Sequence, residues 1–156
     1  MAQSSSSMQL TRAADYAVRV MIHLATLPAH ERALLPMLAR ATGAPQSFLS
    51  KVLQALCRAG FIVSRRGQSG GFEILPLGRK ASIRMVVEAI EGPIALNLCL
   101  ISGASCGRKS SCPAHPIWSQ AQEAMLSVLN AATVADLAIH TTAPHTRISG
   151  VKQKTA

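Results

Sequence analysis

The chain has 156 residues, enough for one domain with an appendage, and 49% of them are hydrophobic. Aromatic residues make up only 3%, so the core must be built from aliphatic side chains, which favours helix packing over sheet packing. Sixteen Lys and Arg against seven Asp and Glu give a net charge of +9. This excess favours an anionic partner, nucleic acid or a membrane surface, although solubility alone is an alternative explanation.

The two ends of the chain carry no folding pattern. Residues 1–8 are polar and serine-rich, which predicts a disordered leader rather than a secretory signal, because the apolar segment of a signal is missing. Residues 141–156 also lack an apolar pattern and are predicted to form a disordered tail. No apolar run approaches the ~20 residues that span a bilayer. We therefore expect a cytoplasmic protein, in which thiols stay reduced.

Helices dominate the first third of the chain. Apolar residues at spacings of three and four predict a helix over 11–27, with Thr11 as its N-cap. A short helix over 34–44 and an amphipathic helix over 45–60 follow, with Gly43 in the turn between them. Two short helices that meet through a turn with a glycine predict a helix-turn-helix.

A β-hairpin is predicted directly after the helix-turn-helix. Short apolar segments at 61–63 and 72–75 flank a basic loop that is rich in glycine. A further short helix is predicted over 82–90. A helix-turn-helix followed by a hairpin is a winged helix, so the fold class is mainly α with a small β-hairpin wing. Residues 9–92 are predicted to form this DNA-binding domain.

The remaining ordered chain divides into a loop and a helical segment. Residues 93–114 have little periodicity and hold three of the four cysteines, and we call them the cysteine loop. Residues 115–140 have a helical apolar pattern. Thr133 and Asp136 stand at the spacing of a capping box, which predicts that a short terminal helix begins there.

The positive charge is concentrated on the predicted winged helix. Between residues 40 and 84, eight basic residues stand against one acid, Glu73. Lys and Arg on such a surface neutralise DNA phosphates and release counterions. The basic residues are Arg40, Lys51, Arg58, Arg65, Arg66, Arg79, Lys80 and Arg84. RNA is disfavoured, because this region lacks the aromatic residues on which RNA bases stack.

The candidate DNA-contacting residues fall into two groups. Polar residues near the start of the 45–60 helix are placed to reach base edges and phosphates, and the glycines of the wing let its backbone approach a groove. The candidates are Gln46, Ser47, Ser50, Lys51, Arg65, Arg66, Gly67, Gln68, Ser69 and Gly70.

The spacing C-x6-C-x5-C-x2-H joins Cys99, Cys106, Cys112 and His115. Thiolates are the usual ligands of iron–sulfur clusters, in some of which histidine replaces a cysteine. A structural zinc site with His115 as fourth ligand and a cluster-free thiol switch are the alternatives. Cys57 lies on an apolar helix pattern and is interpreted as a core thiol. A nucleophilic Cys112/His115 pair lacks further polar residues to complete a site, so we do not expect an enzyme.

Taken together, these motifs resemble the Rrf2 family of bacterial transcription regulators, from about Met8 to Ile139. MQLTRAADYAVRVMIHLA resembles the family's opening helix, and SFLSKVLQALCRAGFIVSRRGQSGGF its recognition helix and wing. The late three-cysteine segment before a long helix resembles the cluster-binding members. The resemblance implies a winged-helix homodimer that binds a DNA operator, with the helix near 115–131 crossing its partner.

The resemblance also implies a cofactor with two candidate ligand sets. Regulators of cluster assembly hold a 2Fe–2S cluster through three cysteines and a histidine, which Cys99, Cys106, Cys112 and His115 match, with a first gap one residue longer than usual. Nitric-oxide-sensing members hold a 4Fe–4S cluster through three cysteines and an aspartate from the partner's first helix, where Asp15 stands. The cluster would then report iron–sulfur status, redox state or nitric oxide; the alternative is a zinc- or thiol-controlled, cluster-free repressor on the same fold.

Overall fold

The computed structural model describes residues 10–101 and 106–141, so the predicted leader and nearly all of the predicted tail lie outside the described residues. The expected mainly α fold with a small hairpin is confirmed. In chain order the elements are α1 (Arg12–Thr26), α2 (Leu35–Thr42), α3 (Gln46–Arg58), β1 (Ile62–Arg65), β2 (Gly71–Ile74), α4 (Pro76–Lys80), α5 (Ile83–Glu91), a 3₁₀ turn (Leu98–Leu100), α6 (His115–Ala131) and α7 (Val134–Thr141). Within the described ranges, no helix is both long and apolar enough to span a membrane.

Helix α1 is the centre of the core. The Thr11 hydroxyl accepts a hydrogen bond from the amide of Ala14 (3.3 Å), as the predicted N-cap requires. Its apolar positions recur every three or four residues and pack against α2, α3, α5 and α7. The buried residues of this face are Ala14, Ala17, Val20, Met21, Leu24 and Ala25.

The helix-turn-helix is formed by α2 and α3. Gly43 ends α2 with a φ of +71°, a left-handed conformation in which a side chain is strained. Helix α3 then buries one face in the core, through Leu49, Val52, Leu53 and Leu56. Phe48, on the edge of that face, remains 39% exposed and packs edge-to-face on Tyr16.

The wing is an antiparallel hairpin with a third, shorter neighbour. Strands β1 and β2 pair from Ile62 with Ile74 to Arg65 with Gly71. Ala33, in the α1–α2 loop, exchanges two backbone hydrogen bonds with Phe72 (3.0 and 2.9 Å). This loop therefore adds a bridge at the outer side of β2, which the sequence pattern did not predict.

The two C-terminal helices have different surroundings. Helix α7 returns to the core, where Val134 is fully buried and its amide donates to the Ala81 carbonyl (2.9 Å). Helix α6 has no fully buried residue, and Ile117 and Val128 are each 61% exposed. In packing, α7 thus belongs with the winged helix, whereas one face of α6 is left uncovered.

The close approach of α4 to Phe61, the residue before β1, gives a first prediction. A Cβ on Gly78 would overlap the backbone carbonyl of Phe61, which cannot move aside like a flexible side chain. We expect Gly78→Ala to lower the free energy of unfolding by about 1–3 kcal/mol, measured by urea denaturation. Gly107→Ala is the control, because among the described residues, its own chain neighbours aside, no atom lies within 4 Å of its added Cβ. Equal stability of the two variants would contradict this packing.

The capping box of α7 predicts a pH dependence. The Thr133 hydroxyl and amide donate to Asp136 Oδ2 (2.6 and 3.2 Å) and hold the pKa of Asp136 below its usual 3.8. The stabilisation is therefore present above pH 3.8 and is lost as the pH falls through the lower pKa of the folded state. Asp136→Asn should be less stable than wild type at neutral pH, with the difference narrowing below pH 3.8 in urea titrations. A difference that stays constant with pH would contradict this role of the carboxylate.

Candidate DNA interface and cysteine loop

The start of α3 presents a polar surface. Because Leu49, Val52 and Leu53 face the core, the residues between them point away from it. The Ser50 hydroxyl donates to the Gln46 carbonyl (3.0 Å), so it remains close to its own helix and half-buried. The predicted contact residues of α3 that are exposed are Gln46, Ser47 and Lys51.

The wing loop, residues 66–70, is a tight turn whose shape depends on glycine. The amide of Gly70 donates to the Gly67 carbonyl (2.9 Å), and Gly67 has a φ of +102°. A Cβ on Gly70 would lie 2.8 Å from the carbonyl oxygens of Arg65 and Gly67. The wing residues on the candidate list that are exposed are Arg65, Arg66, Gly67, Gln68 and Ser69.

A cleft of about 540 Å³ separates α3 from the wing and is bordered by one candidate residue of each group, Ser50 and Arg66. Ser50 and Arg58 line it from α3, and Arg66 lines it from the wing. Cys57 also lines the cleft and is half-buried rather than enclosed in the core, because α3 turns this position toward the hairpin. Burial raises the pKa of its thiol, which keeps Cys57 protonated at neutral pH.

Two of the eight basic residues assigned to the DNA surface have other partners. The Arg79 guanidinium donates to the carbonyls of Ala25 and Leu27 (2.8 and 3.0 Å), where positive charge stabilises the C-terminal end of α1. Arg84 pairs with Glu88 one turn along α5 (3.1 Å). The excess charge available to DNA is therefore smaller than the sequence count suggests.

Sequence patterns missed a polar network behind the wing. The Arg32 guanidinium donates to the Ser69 carbonyl (2.7 Å) and to Glu73 Oε2 (3.4 Å), and His30 Nδ1 lies 3.0 Å from Glu73 Oε1. The hydrogen bond from His30, followed by that from Arg32, holds the pKa of Glu73 below its usual range. About 40 residues separate Glu73 from both partners, so helix or strand periodicity could not pair them.

In its described parts, residues 93–101 and 106–114, the cysteine loop consists mainly of turns and bends. Cys99 lies half-buried in the 3₁₀ turn, Cys106 is exposed, Cys112 is half-buried, and all are free thiols. His115 begins α6, and its amide donates to the Cys112 carbonyl (3.2 Å). Across residues 10–101 and 106–141, no three metal-ligating side chains are gathered into one set. The imidazole Nε2 of His115 is nevertheless buried with no hydrogen-bond partner in this part of the chain.

Side chains of α5 and α6 accept hydrogen bonds from the backbone in the first part of the cysteine loop. Gln122 of α6 accepts a hydrogen bond from the amide of Leu96 (3.0 Å). Glu88 of α5 accepts a longer one from the amide of Ile94 (3.4 Å). The segment that leads to Cys99 is thus connected both to the winged helix and to α6.

The other proposed ligand, Asp15, is already engaged. Its carboxylate pairs with Arg19 one turn along α1 (2.9 Å), and both side chains are about half exposed. Arg19 also donates to the carbonyl of Thr42, the last residue of α2 (3.4 Å). Asp15 therefore lies at the end of a short polar connection to the helix-turn-helix.

Known proteins match nearly the whole described chain. The family model for Rrf2, an iron-dependent transcriptional regulator, matches residues 10–140. The HTH-type transcriptional regulator NsrR of Geobacillus kaustophilus is 33% identical over 131 residues, covering 83% of this chain and 89% of NsrR. Protein aau3 of Rhizobium meliloti is 32% identical over 83% of this chain and 84% of that protein. The relatives named as regulators agree with the expectation that the chain is not an enzyme.

Solved structures share the fold. CymR, the global cysteine regulator of B. subtilis, superposes with a TM-score of 0.68 at 21% identity, over 86% of this chain and 98% of CymR. IscR of T. potens superposes with a TM-score of 0.68 at 20% identity, over 90% and 94%. With a family model that spans residues 10–140 and a winged-helix fold in common with these structures, the chain belongs to the Rrf2 family of transcriptional regulators.

Proposed function

We propose that this regulator is a cytoplasmic homodimer that reads its operator with α3 and the wing, and whose affinity for DNA is controlled by an iron–sulfur cluster in the cysteine loop. The observation that carries the proposal is the shared cleft: Ser50 and Arg58 of α3 and Arg66 of the wing border one opening. In this arrangement α3 enters the major groove, while Arg65 and Arg66 contact the neighbouring phosphates.

The uncovered face of α6 supports a homodimer. Ile117, Trp118 and Val128 are 61%, 40% and 61% exposed, and α6 has no fully buried residue. A second copy of α6 would remove this apolar surface from water. Dimerisation would also set the distance between two recognition helices, which has to match the spacing of the half-sites in the operator.

The donor chemistry of the cysteine loop fits an iron–sulfur cluster. The segment offers three free thiols and, directly after them, the imidazole of His115, whose Nε2 is buried and has no hydrogen-bond partner within the described residues. When bound, the cluster would supply a centre that reacts with oxidants or nitric oxide. His115 is favoured as the fourth ligand over Asp15, because the carboxylate of Asp15 is already paired with Arg19. The family description as iron-dependent agrees with this cofactor.

The residues around the cysteine loop would transmit the presence or loss of the cluster to α5 and α6. Gln122 and Glu88 hold the segment before Cys99 against α6 and α5, so a change in the cysteines displaces elements of the dimer interface and the winged helix together. A difference in affinity between the two states of about 5- to 150-fold corresponds to the usual range of allosteric coupling.

The first prediction of the proposed function concerns the wing. In Arg65→Ala/Arg66→Ala, two phosphate contacts are lost, so operator affinity should fall about 10- to 100-fold and the salt slope by about two. Fluorescence anisotropy across salt concentrations measures both. Arg84→Ala is the control, because it removes one positive charge from a residue paired within α5, where no change in affinity or slope is expected. If the double variant keeps the affinity and slope of wild type, the wing does not contact DNA.

The second prediction concerns the cofactor. Anaerobically purified wild type should contain iron and sulfide and absorb visible light. His115→Ala should lose the cluster or hold it weakly, whereas Asp15→Ala and the control Cys57→Ala should retain it. Native mass spectrometry gives the composition of each. A colourless wild type that contains zinc contradicts the cluster, and loss of the cluster in Asp15→Ala alone contradicts His115 as the ligand.

A further inference from the structure

We propose that Arg32 is a positioning residue for DNA binding: it holds the wing loop in the conformation that presents Arg65 and Arg66, and does not itself contact DNA. The inference rests on the proposed role of the wing. Arg32 lies in the α1–α2 loop, outside both the helix-turn-helix and the hairpin.

The Arg32 guanidinium joins two parts of the hairpin. Nη1 donates to the carbonyl of Ser69 in the wing loop (2.7 Å), and Nε donates to the carboxylate of Glu73 in β2 (3.4 Å). The Glu73 side chain is only 12% exposed, and His30 contacts its other oxygen (3.0 Å). The position of the guanidinium is therefore fixed by a carboxylate that is itself held from two sides.

The backbone beside Arg32 is fixed against the same strand. Ala33 and Phe72 exchange two hydrogen bonds (3.0 and 2.9 Å). Gly71 has a φ of +129°, and a Cβ there would lie 2.9 Å from the Ala33 carbonyl oxygen and 3.3 Å from Arg32 Cβ. Because Gly71 has no side chain, the α1–α2 loop lies directly against β2 at this point. The backbone therefore sets the short distance between Arg32 and Ser69.

A two-stranded wing with a loop rich in glycine needs contacts from outside the hairpin to become ordered. A two-stranded hairpin is marginally stable alone, and glycines in its loop increase the entropy that has to be lost when it becomes ordered. A wing loop that is already held by Arg32 loses less entropy when DNA binds, which strengthens binding without a new contact to DNA.

The charge of Arg32 is compensated where it lies. Glu73 neutralises it, and two of its nitrogens are already engaged with Ser69 and Glu73. Arg65 and Arg66, by contrast, are exposed and form no ion pair within the described residues. A positioning residue and a phosphate contact can therefore be distinguished by the salt dependence of binding, because only a phosphate contact contributes to its slope.

The experiment measures the binding of a fluorescently labelled mixed-sequence DNA duplex between about 50 and 200 mM salt. Arg32→Ala should weaken binding about tenfold at every salt concentration, with an unchanged slope. Arg32→Lys should do the same, because lysine keeps the charge but not the planar fork. Arg66→Ala should reduce the slope by about one, and Arg84→Ala should resemble wild type.

Hydrogen exchange of the free protein provides a readout that does not depend on DNA. In Arg32→Ala, the amides of residues 67–71 should exchange faster than in wild type, while those of Val20 and Leu53 in the core stay protected. The proposal is overturned if Arg32→Ala keeps the wild-type amide exchange and the wild-type affinity for DNA. It is also overturned if the variant keeps the wild-type exchange but lowers the salt slope by about one, since Arg32 would then contact a phosphate. If Arg66→Ala also keeps the wild-type slope, the role of the wing in DNA binding fails instead, and faster exchange still shows that Arg32 orders the loop.

Discussion

Burial of one face of α1 is the constraint on which the rest of the structure depends. Its small residues Ala14 and Ala17 allow neighbouring helices to approach closely, and Val20, Met21 and Leu24 are almost fully enclosed. Helices that are far apart in the sequence pack on this face, from α2 and α3 to α7. The orientation of α3, the proposed recognition helix, is therefore set by the same core that receives α7.

The winged helix differs in packing from the region formed by the cysteine loop and α6. The winged helix completes its core within one chain and leaves Gln46, Ser47 and Lys51 of α3 and the arginines of the wing exposed. The described residues of the cysteine loop and α6 lack such a core: the thiols are free, and α6 leaves Ile117 and Val128 exposed. A cofactor and a second subunit would complete this region, so the least self-sufficient part of the chain is the part proposed to respond to a signal.

The sequence predicted the elements that rest on periodicity and local signals. The spacing of apolar residues located α1 and α3, Thr11 marked the start of α1 and Gly43 the end of α2, and the glycines identified the wing. It could not predict contacts between distant segments, such as those of Arg32 with Ser69 and Glu73, or the use of Arg79 as a cap for α1. Residue type and spacing do not show which partner a charged side chain finds across the fold. The ligand set of the cysteines stays a prediction for the same reason.

The most direct test of the account compares DNA binding by the same protein with and without its cluster. Operator fragments selected with both forms would be titrated anaerobically with cluster-bound and cluster-free protein at one fixed salt concentration. The account predicts that the two affinities differ by about 5- to 150-fold. Equal affinities would show that the cysteine loop does not control DNA binding and would contradict the central claim.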